Sequence, residues 1–268
     1  GMGDLGTIGL YDAEGGLSTE LGWGIGAMGV GADYANTMTN IGRGYDVSSD
    51  PHVSYTTAAG MLPFGIQAAV GFAPNVNDGQ SNSYKGGGAQ VDAAAAGTNA
   101  TQYKITASPI DGLKIGGDYY ETGGHKVNNV SQHKTGGNVY AQYAMGNFKV
   151  GYTKGKLEPA KTDDKYGTNT ADSATALGGD AYESDGLGLE FAVNDQLSLS
   201  ISEEDFTRVH KTMAATASTN TRNTVTSSQT TIMAAYNIGG ATLGLSLVDT
   251  DNSDYTASRD ETKTIVSL

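Results

Sequence analysis

The chain has 268 residues, of which 39 are glycine, 29 are Asp or Glu and 16 are Lys or Arg, and it has no cysteine. The absence of cysteine excludes a disulfide scaffold, a thiol nucleophile and a cysteine-based metal site. The net charge of −13 argues against nucleic acid as a partner, because a phosphate backbone selects basic surfaces. No apolar run reaches 18 residues, so the sequence predicts no transmembrane helix.

Apolar and polar residues alternate with a period of two through most of the chain, and helical periodicity is nearly absent. In residues 65–73, Ile66, Val70 and Phe72 fall on one face and Gln67 on the other. Weaker runs occur at 4–11 and 261–268, and clear alternation recurs at 53–57, 103–107, 113–119, 139–145, 148–152, 187–193, 197–201, 232–236 and 243–247. The pattern predicts an all-β protein of about twelve strands.

The connections between these runs alternate in length. Short turns rich in Gly, Asn, Asp or Pro are expected at 60–64, 109–112, 146–147, 194–195 and 239–240. Long polar loops are expected at about 74–100, 122–136, 157–183, 207–227 and 251–260. An antiparallel up-and-down meander with one short-turn end and one long-loop end is typical of a transmembrane β-barrel of the outer membrane.

The two strand faces distinguish a membrane barrel from a soluble β-sandwich, which is the alternative fold. Near the short turns, an aromatic girdle is predicted from Phe64, Tyr143, Phe148, Phe191 and Tyr236. The second face has few Leu or Ile and is predicted to line a wet lumen, with charged or polar side chains at Gln67, Lys104, Lys114, Asp118, Lys149 and Glu190. This distribution favours the barrel.

Three stretches resemble a known family: GDLGTIGLYDAEGG (3–16), DPHVSYTTAAGMLPFGIQAAVGF (50–72) and DTDNSDYTASRDETKTIVSL (249–268). They are similar to the fifth strand, the following strand pair and the last loop and strand of general porins of Gram-negative bacteria, including the alphaproteobacterial type. The resemblance implies a single porin domain over 1–268, with twelve strands of a likely sixteen. The first four strands and the family's terminal aromatic residue would be missing. Such a piece would either close as a narrower barrel or leave two unpaired edges.

The resemblance also implies a function. Residues 13–50 occupy the place of the loop that folds into the porin lumen and narrows it. In the family this loop presents carboxylates across the pore from basic residues of the wall, of which Lys263 is the candidate here. The loop carries five acids against one base: Glu14, Glu20, Asp33, Asp46 and Asp50 against Arg43. We therefore expect a passive, weakly cation-selective channel for small hydrophilic solutes and ions, without enzymatic activity. Its expected partners are outer-membrane lipid and, by resemblance, two further copies of the chain in a homotrimer.

Other kinds of chemistry have weaker support. A G-x-G-x-x-G string at 24–29 is expected by chance in so glycine-rich a chain. The histidines match no zinc spacing and no serine triad can be recognised from chain order, so no cofactor is predicted. Oxygen-rich clusters such as Asp249/Asp251/Asn252/Asp254, Asp163/Asp164 and Asn75/Asn77/Asp78 leave weak Ca²⁺ binding open. Two other functions stay as alternatives: a cell-surface adhesion or structural β-protein of the autotransporter kind, and an outer-membrane barrel enzyme.

Overall fold

The structure is a computed structural model that describes residues 1–12, 14–26, 46–77, 96–123, 125–127, 130–132, 135–158, 181–212 and 221–268. Its strands are β1 Thr7–Tyr11, β2 His52–Thr56, β3 Gln67–Asn77, β4 Ala96–Ala107, β5 Leu113–Thr122, β6 His125–Val127, β7 Val130–Gln132, β8 Thr135–Met145, β9 Phe148–Glu158, β10 Ala181–Ala192, β11 Leu197–Thr212, β12 Thr221–Asn237, β13 Thr242–Asp251 and β14 Glu261–Ser267. The helical residues in the described part of the chain form only short 3-10 turns. None of the described helices has the length and apolarity needed to cross a membrane.

One sheet of twelve strands contains all of these strands except β6 and β7, which pair with each other. Every neighbouring pair is antiparallel, and the order along the sheet is the order along the chain. The prediction of an all-β, up-and-down architecture with about twelve strands is therefore confirmed. Within the described residues, the sheet is open between its edge strands β1 and β14.

The outer face of the sheet carries a band of exposed apolar side chains next to the short turns. On β10, Leu187 and Leu189 are 58% and 41% exposed, and Val193 beyond the strand is also exposed. From Val193 to Leu187 is six residue steps, about 20 Å along the strand at roughly 3.3 Å per residue. Past this band the same face becomes charged, at Glu183 and Asp185. Exposed apolar side chains that give way to charged ones along a strand are the pattern of the outward face of membrane barrels.

The predicted aromatic residues lie at the short-turn edge of this band. Phe64 is 71% exposed, and Tyr143, Phe148 and Tyr236 are each at least 40% exposed. The rings of Phe148 and Phe191 stack with their centroids 4.6 Å apart. Such an arrangement is the one that interfacial girdles of membrane barrels adopt.

Strands extend further into the predicted long loops than the sequence indicated, and the predicted loop 122–136 contains the paired strands β6 and β7. The predicted loop 207–227 is largely strand, because β11 continues to Thr212 and β12 begins at Thr221. Beyond the apolar band both faces of this hairpin are mostly polar, so the alternation of hydrophobicity that signals a strand is weak. The backbone ladder continues nonetheless, and polar pairs link the strands across it, including Thr207 Oγ1 and Thr226 Oγ1 at 2.9 Å.

Candidate functional site

Residues 14–26 leave the edge strand β1 and run across one face of the sheet; we call them the crossing segment and that face the inner face. Leu17 lies over Gly71 of β3, Thr19 over Asp118 of β5, and Ile25 over Gly188 of β10. The segment therefore passes from the third strand of the sheet to the eighth. The predicted inward-folding loop begins with this segment, whereas 27–45 lie outside the described residues.

The start of the crossing segment is held by Asp46, which returns to it from the far end of the same loop. The Asp46 carboxylate accepts hydrogen bonds from the backbone amides of Leu17 at 3.0 Å and Ser18 at 3.1 Å. It also caps the 3-10 turn 47–49 by accepting from the amide of Ser48 at 3.1 Å. The two ends of the loop are thus joined by one carboxylate over the inner face.

The middle of the segment is anchored on Asp118, a predicted lumen residue that is only 8% exposed. Its Oδ1 accepts from the amide of Thr19 at 2.7 Å and from the Thr19 hydroxyl at 2.6 Å. The side-chain amides of Gln102 and Asn138 donate to the same carboxylate at 3.2 Å and 3.3 Å. Gln102 Oε1 in turn accepts from the amide of Val47 at 2.8 Å. A buried carboxylate needs such partners, and here the partners fix the loop to the wall.

The end of the segment is anchored on an ion pair between Lys149 of β9 and Glu190 of β10. Lys149 Nζ lies 2.8 Å from Glu190 Oε1 and also donates to the carbonyl of Gly24 at 3.1 Å. Glu190 Oε2 accepts from the amide of Gly26 at 3.3 Å. Both side chains were predicted to face the lumen, and both contact the loop predicted to narrow it.

Glycines on the wall make room for the apolar residues of the segment. Gly151 and Gly188 are directly opposite in the pairing of β9 with β10. A Cβ at Gly151 would lie 2.4 Å from the carbonyl oxygen of Trp23, and one at Gly188 would lie 2.6 Å from Ile25 Cγ2. Trp23 and Ile25 are 1% and 5% exposed, with Tyr140 packed against them. The glycine pair is therefore a groove that admits the segment close to the sheet.

The remaining predicted site residues are placed as follows. The strand register puts Gln67, Lys104, Lys114 and Lys263 on the inner face with Asp118, Lys149 and Glu190. Among the loop acids, Glu14 is exposed, Glu20 is half-buried and Asp50 is 8% exposed. Asp33 and Arg43 lie outside the described residues.

Several residues that build this site were missed in the sequence. Thr19, Gln102, Trp23, Gly151 and Gly188 make close contacts with one another or with the predicted residues. The sequence did contain one indication of such a site. The glycines of β10 occupy alternate positions on one face, where another segment can approach the sheet closely.

The described residues show no group of three or more His, Asp or Glu side chains suited to a metal ion. Asp249 instead accepts a hydrogen bond from Thr262 Oγ1 at 2.9 Å. The acidic residues Asp78, Asp163 and Asp164 lie outside the described residues. Gly24 and Gly26 of the G-x-G-x-x-G string belong to the crossing segment, and 27–29 are not described.

No protein-family model and no curated protein matches this chain. Solved structures do match it. OmpF of Salmonella typhi, in complex with daunomycin, aligns with 98% of this chain and 74% of its own, at 9% identity and a TM-score of 0.58. A loop L8 deletion mutant of OmpT, an outer membrane protein of Vibrio cholerae, aligns with 92% of this chain and 71% of its own, at 13% identity and a TM-score of 0.52.

OmpT of Vibrio cholerae itself aligns with 81% of this chain at 11% identity and a TM-score of 0.48, and the chain spans 60% of that protein's length. At these identities the likeness concerns the fold alone. On the two alignments with the higher TM-scores, the twelve-stranded sheet shares its fold with outer-membrane β-barrel proteins.

Proposed function

We propose that this chain forms a passive diffusion channel of the Gram-negative outer membrane, of the general porin kind, for small hydrophilic solutes and ions. The observation that carries the proposal is the crossing segment, which lies over the inner face and is fixed there by Asp118 and by the Lys149–Glu190 pair. A segment that lies along the inner face of such a sheet narrows the passage that the sheet surrounds, but it does not block that passage. Narrowing by a fixed loop selects solutes by size and charge and requires no chemistry on them.

The proposed location in the outer membrane is supported by the outer face. Leu10, Leu187 and Val266 are more than half exposed although they are large and apolar. Such a continuous apolar band has no favourable contact with water, and lipid is the partner that suits it. In lipid the edges β1 and β14 also need backbone partners, which they find in each other or in further strands.

The proposed channel is weakly cation-selective and, like the general porins that the sequence resembles, trimeric. The charged inner-face residues include both signs, which supports a modest rather than a strong selectivity. The described bases are Lys104, Lys114, Lys149, Arg208 and Lys263, and the described acids are Asp118, Glu190, Glu204 and Glu261.

Reconstitution of the purified protein into planar bilayers tests the proposal. We expect ohmic single-channel steps in KCl, and extraction from the membrane only with detergent. A protein that dissolves in buffer without detergent would instead support the surface-adhesion alternative. A detergent-extracted, folded protein without conductance would contradict the channel.

A further inference from the structure

A second connection also folds onto the inner face. The loop 252–260 joins β13 to β14 and buries the side chain of Tyr255, which is 6% exposed. The Tyr255 ring lies 6.0 Å, centroid to centroid, from the ring of Tyr182 on β10. The guanidinium carbon of Arg208, on β11, lies 5.1 Å from the centroid of the Tyr255 ring. A cation over a tyrosine face at this distance is attracted by the ring.

The strand register assigns these contacts to the inner face. Tyr182 and Arg208 are directly opposite in the pairing of β10 with β11. Tyr182 and Gly186 are four residues apart on β10 and therefore lie on the same face of the sheet. A Cβ added at Gly186 would lie 3.5 Å from the Trp23 ring, so this face is the inner face. Since Tyr182 is four residues from Gly186, Tyr255 contacts the wall about 13 Å nearer the long-loop end than Trp23 does.

The backbone of this loop is strained in a way that fixes the ring. Four non-glycine residues of the described chain have positive φ, and three are in this loop: Asn252 at 50°, Tyr255 at 55° and Ser258 at 63°. For a side chain as bulky as tyrosine this conformation is rare and persists only where the surroundings hold it.

Specific hydrogen bonds supply those surroundings. Asn252 Nδ2 donates to the carbonyl of Thr226 on β12 at 3.1 Å, and Asn252 Oδ1 accepts from the amide of Ser258 at 3.0 Å. The amide of Ser253 donates to the carbonyl of Arg259 at 2.6 Å. The loop is thereby tied both to the neighbouring strand and to itself.

From these contacts we infer that Tyr255 forms a second constriction of the proposed channel, nearer its long-loop end than the crossing segment. The ring narrows the passage there and covers the guanidinium of Arg208, so that Tyr255 and Arg208 together determine size and charge selection at this level. The inference rests on the proposed channel function.

Substitutions at both positions test the size and the charge component separately. In planar bilayers, Tyr255→Ala is expected to increase single-channel conductance and to admit larger neutral polyethylene glycols from the long-loop side. It is also expected to shift the zero-current potential in a KCl gradient toward anion preference, because Arg208 becomes accessible. Tyr255→Phe keeps the ring and is expected to match the wild type. Tyr255→Ala combined with Arg208→Gln should retain the larger conductance without the shift.

Tyr255→Gly is the second variant, because glycine accepts the positive φ and removes the ring without demanding a new backbone conformation. Heat-dependent gel mobility establishes that each variant is folded. Wild-type conductance and polymer exclusion in both Tyr255→Ala and Tyr255→Gly would overturn the second constriction while leaving the channel proposal in place. A wild type without conductance would instead contradict the channel proposal itself.

Discussion

At the scale of single residues, Asp118 is the strongest link between wall and loop. Its carboxylate accepts four hydrogen bonds, two from Thr19 and one each from Gln102 and Asn138. Because it is almost fully buried, these bonds replace the water that an ionised carboxylate would otherwise hold. The same bonds determine how far the crossing segment lies from the sheet, so the stability of the protein and the position of the segment depend on one side chain.

Asp118→Asn is therefore expected to destabilise the protein. The substituted amide keeps only one acceptor oxygen and places an NH₂ group among donors, which removes charge-assisted bonds worth about 2 kcal/mol. Denaturant unfolding in detergent micelles measures the loss. Asp195→Asn, in an exposed short turn, is the matched control and should leave the unfolding midpoint unchanged. Equal midpoints for the two variants would show that Asp118 does not anchor the segment.

At the scale of elements, the fit of the crossing segment to the sheet depends on residues that have no side chain. Gly151 and Gly188 form the groove under Trp23 and Ile25, and no larger residue fits either position without displacement. The wall and the segment are thus matched in shape as well as in hydrogen bonding. Any side chain that fills the groove must push the crossing segment away from the inner face of the sheet.

Gly151→Ala tests this shape match. Its new Cβ would lie 2.4 Å from a backbone oxygen, which cannot move as a flexible side chain can. We expect a loss of about 1–3 kcal/mol, as for other overpacked interiors, and faster proteolysis within the crossing segment. Ser198→Ala introduces the same residue at an inner-face position of β11 and serves as the control. Unchanged proteolysis in Gly151→Ala would mean that the segment does not rest in this groove.

The ion pair at the end of the segment gives a second prediction at this scale. Lys149 and Glu190 are 27% and 19% exposed, so solvent screens their attraction only in part. Removing either partner alone leaves the other charge poorly compensated. We expect the losses of unfolding free energy in Lys149→Gln and in Glu190→Gln, added together, to exceed the loss in the double variant. Denaturant unfolding of the wild type, the two single variants and the double variant measures these losses. Additive costs would show that the two side chains do not act as a pair.

The sequence predicted the parts of the fold that local periodicity determines. The alternation around Leu187 and Leu199 identified the strands and the apolar face, because a strand with one apolar face has a hydrophobic period of two. The polar extensions of β11 and β12 were missed, since no apolar face distinguishes them from loop. The site was predicted only in part for the same reason. Asp46 and Thr19 meet partners 29 and 99 residues away, and no local pattern encodes those contacts.

At the scale of the whole molecule, three described acids of the loop, Asp46, Asp50 and Glu14, lie in different surroundings. Asp46 and Asp50 are bound or buried within the fold, so their substitution would disturb the loop as well as its charge. Glu14 is exposed at the start of the crossing segment. The inner face around it has bases and acids in nearly equal number, which leaves the loop as the source of any net potential along the proposed passage.

Glu14→Gln should therefore weaken cation preference without altering the fold. In a KCl gradient we expect its zero-current potential to move toward the anion value, because one exposed negative charge near the passage is removed. The shift should be larger in dilute salt, since the Debye length is about 8 Å at 0.15 M and about 3 Å at 1 M. Glu158→Gln, on the outer face near the long-loop end of β9, removes the same charge outside the passage and is the control. An identical potential in the wild type and Glu14→Gln at low salt would place Glu14 outside the conducting path and would leave the proposed cation preference without support from this residue.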